Sequence, residues 1–163
     1  MSKIIPVAAL LLVLAACSPA TKLPYQEPAA GATAEVLFRN ATAGRTEVAL
    51  FEDAAACTGR RHLPALLIGE ERSVRVPAGR LLAFQVRHLV PNPTPPRYCD
   101  VLASFEPVPG ASYAVSISTE GDRPCTAHVR QLDGPLAERS SQVLLRAPVK
   151  SKGEDGPFCF PIQ

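Results

Sequence analysis

The sequence predicts an all-β domain: an antiparallel β-sandwich of about seven to eight strands, with a small closed barrel as the alternative. Short runs with period-two apolar alternation recur along the chain, separated by turn residues at about 8–12-residue spacing. Proline is frequent, 17 of 163 residues, which favours short strands and turns over long helices. Beyond Cys17, four cysteines and no C-x-x-C fit a small exported domain held by disulfides.

The strands follow in order from about Ala34. Residues 35–40 are short and apolar through Val36, Leu37 and Phe38, and residues 46–52 place Val48 and Leu50 on one face. The turn-tolerant run 40–44 between them predicts a hairpin. Residues 53–62 read as a loop carrying Cys57, and residues 63–68, interrupted by Pro64, as an edge strand at best. Val74 and Val76 alternate, Pro77 and Gly79 suit a type I turn, and Leu82, Phe84 and Val86 return on one face, a second expected hairpin. Residues 91–96 hold four prolines and must be an extended loop. Cys99, Val101, Ala103 and Phe105 share one parity; so do Tyr113, Val115 and Ile117 after the Pro109-Gly110 turn, and Cys125, Ala127 and Val129 after 120–122. These three segments predict a meander with one buried face. Residues 136–140 fit a helical turn and 142–146 a last strand.

Apolar residues are 47% and charged residues 20%, which argues against wholesale disorder and against a multi-pass membrane protein. The net charge of +2 is far below that of a protein driven onto nucleic-acid phosphates.

The N-terminus has the form of an export signal. After Met1-Ser2-Lys3, residues 4–16 carry no charge, a length that suits a signal-peptide core and falls short of the about 20 residues of a membrane span. The run ends Leu14-Ala15-Ala16-Cys17, which resembles the lipobox of bacterial lipoproteins at all four positions. The resemblance implies cleavage before Cys17, a diacylglyceryl thioether on its sulfur and an amide-linked acyl chain. Ser18, where inner-membrane retention favours Asp, implies the outer membrane, facing the periplasm or the cell surface. The chain thus divides into a signal at 1–16, a lipidated Cys17 with a flexible Pro/Ala-rich tether through 33, and one domain at 34–163. Behind the lipobox the chain looks like the small β-rich lipoproteins of bacterial envelopes, without a motif of any one domain family.

Three disulfide connectivities are possible for Cys57, Cys99, Cys125 and Cys159. In the expected meander one strand separates Cys99 from Cys125, about 9.6 Å apart and beyond the roughly 7 Å Cα limit of a disulfide. That argues against Cys99–Cys125; of the two connectivities that remain, Cys57–Cys99 with Cys125–Cys159 is favoured, and Cys57–Cys125 with Cys99–Cys159 stays open.

No catalytic constellation is legible. The run Gly110-Ala111-Ser112-Tyr113-Ala114 lacks the last glycine of a nucleophile elbow and precedes a strand, not a helix. The acidic pairs Glu52-Asp53 and Glu70-Glu71 have no legible partner, and His62, His88 and His128 show no metal-ligand spacing. No enzyme, metal or cofactor is expected. Anion-binding candidates are Arg60 and Arg61 beside His62, and Arg97 closing the loop 91–97. The expected function is a non-catalytic envelope module that binds a protein or glycan through loops on a rigid scaffold. The alternative is an inhibitor or ligand-binding lipoprotein acting on a cell-wall hydrolase.

Overall fold

The computed structural model describes residues 22–91, 97–118, 125–133, 141–153 and 155–160. Among them there is no helix and there are nine strands: β1 (Thr33–Arg39), β2 (Arg45–Asp53), β3 (Thr58–His62), β4 (Glu71–Pro77), β5 (Leu82–Val90), β6 (Arg97–Phe105), β7 (Ser112–Ser118), β8 (Thr126–Gln131) and β9 (Leu144–Leu145). They form two sheets, β4-β1-β7-β8 and β3-β2-β5-β6-β9. The molecule is a β-sandwich, as the alternation predicts, and not a closed barrel. Neighbours are antiparallel except β1 and β7, which run parallel with Glu35 opposite Ser112.

The strand positions match expectation better than the strand partners do. Neither expected hairpin forms: β1 and β2 lie in different sheets, and so do β4 and β5. The expected meander shrinks to β7–β8, because β6 belongs to the other sheet. Gly110 does take the positive φ, 76°, that its turn was expected to need. A turn reverses the chain, but a strand with one apolar face is satisfied equally by pairing alongside its predecessor or by packing across from it. Here the connections 40–44, 78–81 and 106–111 arch between layers. Pairings the sequence did not suggest, β5–β6 and β2–β3, build the five-stranded sheet instead. Strand β3 was expected to be loop because Thr58-Gly59-Arg60-Arg61-His62 has no apolar alternation; the expected edge strand at 63–68 reduces to one bridge between Thr46 and Leu66. The expected helical turn at 136–140 and most of the loop 91–96 lie outside the described residues.

The main core fills the space between the sheets. Phe38, Phe84, Phe105 and Tyr113 form a chain of rings with centroids 6.0, 6.2 and 5.1 Å apart, edge to face. The Tyr113 phenol accepts the Val108 N–H at 2.9 Å, so its polar end is satisfied within the core. A second, smaller core lies on the outer face of the five-stranded sheet, where Phe51, Ala83 and Leu102 are covered by Phe158 and Cys159 from the C-terminal arm. Arg146, 7% exposed, pins that arm. Its guanidinium donates to the carbonyls of Ala54, Ala55 and Phe160 and to Ser104 Oγ, and burial pushes its pKa down.

The cysteines pair as Cys57–Cys159 and Cys99–Cys125, with Cα separations of 5.5 and 5.7 Å. This corrects the favoured Cys57–Cys99 and Cys125–Cys159 connectivity and the exclusion of Cys99–Cys125. The exclusion measured two spacings within one sheet. Cys99 sits on β6 and Cys125 leads into β8 of the opposite sheet, so the bridge joins the layers.

Candidate functional site

The packed unit begins before Ala34, where the sequence placed its boundary. Residues 22–28 form a strap across the open side of the sandwich, between the edge strands β3 and β4. Pro24 and Pro28 hold this stretch extended. Leu23 accepts the His62 N–H at 2.8 Å and Tyr25 donates its N–H to the His62 carbonyl at 2.9 Å. Pro24, with no N–H to offer, falls between these bonds in a parallel bridge to His62. The strap then crosses to the other sheet. The Tyr25 hydroxyl donates to the Arg75 carbonyl at 2.8 Å, and Glu27 accepts from Arg75 N and Nε at 3.1 and 2.9 Å. Burial, with the Glu27 charge nearby, pushes the Tyr25 phenol up to about 12. The backbone and side-chain hydrogen bonds from Arg75 hold Glu27 below the usual carboxylate range.

Beneath the strap lies a cleft of about 560 Å³, within the roughly 300–1,000 Å³ of ligand sites. Its walls are mostly apolar, with Tyr25, Leu50, Phe51, Pro77 and Leu82 among them. Of the expected anion-binding residues, Arg61 lines this cleft, but its guanidinium is paired to Glu52 at 2.7 Å. Arg80 stands exposed at the same cleft.

Arg60 points to the opposite side of β3, onto the outer face of the five-stranded sheet. Its guanidinium lies 3.9 Å over the Phe158 ring and donates to Gln85 Oε1 at 3.2 Å. Alternation along β3 thus separates the two arginines that the sequence grouped. Arg97 opens β6, and its side chain lies outside the described residues, as does Cys17. On the outer face Arg87 pairs with Asp100 at 2.7 Å, a bond that raises the Arg87 pKa. Glu47 meets Lys22 at 3.1 Å and Arg45 at 3.2 Å. Burial alone would raise Glu47, but the Lys22 hydrogen bond and the charges of Lys22, Arg45 and Arg87 hold its carboxyl low.

The other singled-out residues are absorbed locally. Asp53 caps the turn after β2 by accepting the N–H groups of Ala55 and Ala56; Glu70 accepts the Leu67 N–H; Glu71 pairs with Arg39. Ser112 gives its N–H to the Asp133 carboxylate, which this bond holds below its ordinary pKa. His88, 3% exposed, sits between the Thr42 and Thr46 hydroxyls at 3.2 and 2.9 Å, and Thr42 is itself bonded to Asn40. That network ties the arch 40–44 to β5. Among the described residues no group of three metal-ligating side chains stands together.

Sequence reasoning missed Tyr25, Arg80 and Arg146. A lone aromatic between two prolines was the available signal for Tyr25. The chain matches no protein-family model, and no curated protein matches it significantly. Fold and surface therefore define its class: a β-sandwich with two disulfides and an N-terminal strap roofing an apolar cleft.

Proposed function

We propose that this chain is an exported lipoprotein of the bacterial envelope, anchored through Cys17 and working as a non-catalytic binding module. The observation that carries the reading is the join between anchor motif and domain. The strap begins five residues after Cys17 and forms the roof of the cleft of about 560 Å³. The two disulfides fit an oxidising compartment. The cleft takes an apolar group, and its lining also presents Arg80 and Asp53 to polar groups of the partner, beside the Arg61–Glu52 pair.

Two measurements test the proposal. The intact mass of the protein from envelopes should give a chain starting at Cys17 and carrying acyl groups; a chain starting elsewhere overturns the anchor. A photo-cross-linker at Gln26, in the cleft lining, should capture one defined envelope protein or glycan, with capture lost in the variant Ala55→Trp, which puts a bulky neutral side chain in the cleft. Equal capture from Arg130, on the far sheet, would overturn the cleft as the binding site. Inhibition of purified cell-wall hydrolases by the protein would replace the general binding role with the inhibitor role.

A further inference from the structure

We infer that the cationic outer face of the five-stranded sheet docks on anionic lipid headgroups of the leaflet that holds the Cys17 anchor. This rests on the proposed lipidation and adds how the domain sits on its membrane.

The first support is the length of the leash. The strap is hydrogen-bonded to the domain from residue 23 onward, and Lys22 is ion-paired to Glu47 on the face in question. Only residues 18–21 separate Lys22 from Cys17. Five fully extended steps span at most about 18 Å. A tether running free to residue 33 would have let the domain tumble well clear of the bilayer; the strap removes that freedom.

The second support is charge. Three shallow depressions of about 100, 460 and 270 Å³ adjoin on this face and share Arg87. Their linings include the cations Lys22, Arg45, Arg60, Arg87, Lys150 and Lys152 against the carboxylates Glu47 and Asp100. Around the far sheet, by contrast, the exposed cations Arg39, Arg75 and Arg130 stand against as many exposed carboxylates, Glu27, Glu35 and Glu71. An anionic surface attracts cations only within about a Debye length, roughly 8–10 Å, so the short leash and the basic face act together. The third support is Tyr98, 62% exposed on the same face, with Arg87 6.0 Å over its ring. An amphipathic ring of this kind settles at the headgroup level.

The chain contains no tryptophan, so Tyr98→Trp supplies a single reporter. The purified protein carrying it is mixed into vesicles of brominated phosphatidylcholine, with or without phosphatidylglycerol. The expected result is indole quenching only when phosphatidylglycerol is present, reversed by high salt. Lys150→Glu with Lys152→Glu, both at exposed positions, should lower the docked-to-undocked ratio by at least about fivefold per cation removed. Equal quenching in both vesicles, or no effect of the double variant at unchanged melting temperature, overturns the inference. Absence of quenching also overturns it. Flotation at high salt reads the anchor separately: its loss refutes lipidation, while quenching in phosphatidylglycerol vesicles still reports whether the face docks.

Discussion

Tyr25→Ala should destabilise the domain by about 3 kcal/mol. The Tyr25 side chain is half-buried and packs against the main core. A fully buried tyrosine removes about 200 Å² from water, so half of it is about 100 Å², or about 2.5 kcal/mol at about 25 cal/mol per Å². The hydroxyl bond to the Arg75 carbonyl adds about 1 kcal/mol. Relaxation of the strap onto the core offsets part of the total. Tyr25→Phe keeps the ring and loses only the bond, so it should cost about 1 kcal/mol. In a domain of this size about 1 kcal/mol moves the melting temperature by about 3–4 °C. Thermal unfolding of the oxidised protein, followed by circular dichroism, should therefore drop by about 10 °C for alanine and about 3 °C for phenylalanine. Tyr25→Ala melting within about 1 °C of the parent would show that the strap merely lies against the domain.

The strap should also respond to pH at both ends. Glu27 is held low, so its contribution is present above the ordinary carboxylate pKa and lost as pH falls through the lowered one. Tyr25 is held neutral, so its contribution is present below pH 10 and lost as pH rises toward about 12; in an ultraviolet titration Tyr25→Phe should remove the phenol that ionises near 12. Non-reducing peptide mapping should recover Cys57–Cys159 and Cys99–Cys125. In the chain-entropy model, their sequence separations of 102 and 26 give about 4.7 and about 3.5 kcal/mol as upper figures, so Cys57→Ser/Cys159→Ser should melt lower than Cys99→Ser/Cys125→Ser. Arg146→Met leaves three carbonyls and a hydroxyl without their donor and should cost about 3 kcal/mol in urea unfolding; a loss below about 1 kcal/mol would mean water replaces the guanidinium. Gly44→Ala should cost more than Gly110→Ala, because a Cβ on Gly44 would sit 2.2 Å from the Leu89 carbonyl oxygen, whereas one on Gly110 meets nothing within 4 Å.

Strand existence was legible where a strand buries one face, which β3 and β9 do not. Val36 and Phe38, Val48 and Leu50, and Leu82, Phe84 and Val86 all point into one core, and alternation records that directly. Strand pairing was not, because β1 bonds to β4 and β7, segments more than thirty residues away, and hydrogen bonds between backbones leave little trace in side-chain identity. The disulfide misassignment followed from this one gap. The second core was hidden for a related reason: Phe51, Ala83 and Leu102 fall on the parity that ordinarily faces water, and only the returning C-terminal arm makes them interior. Of the candidate site, Arg60 and Arg61 were found as residues, but their split between two faces required knowing that the segment is a strand.

The nested order of the bridges sets a timetable for a chain that emerges N-terminus first. Cys57 must wait for Cys159 near the far end, and β1 must wait for β7 before the four-stranded sheet gains its centre. The thiol that follows Cys57 is Cys99. A catalyst that oxidises thiols in the order they appear would join these two first, and that loop would have to be opened and exchanged before the sandwich could close. Oxidative refolding of the reduced chain should accordingly reach the native pairing faster when a disulfide isomerase is added.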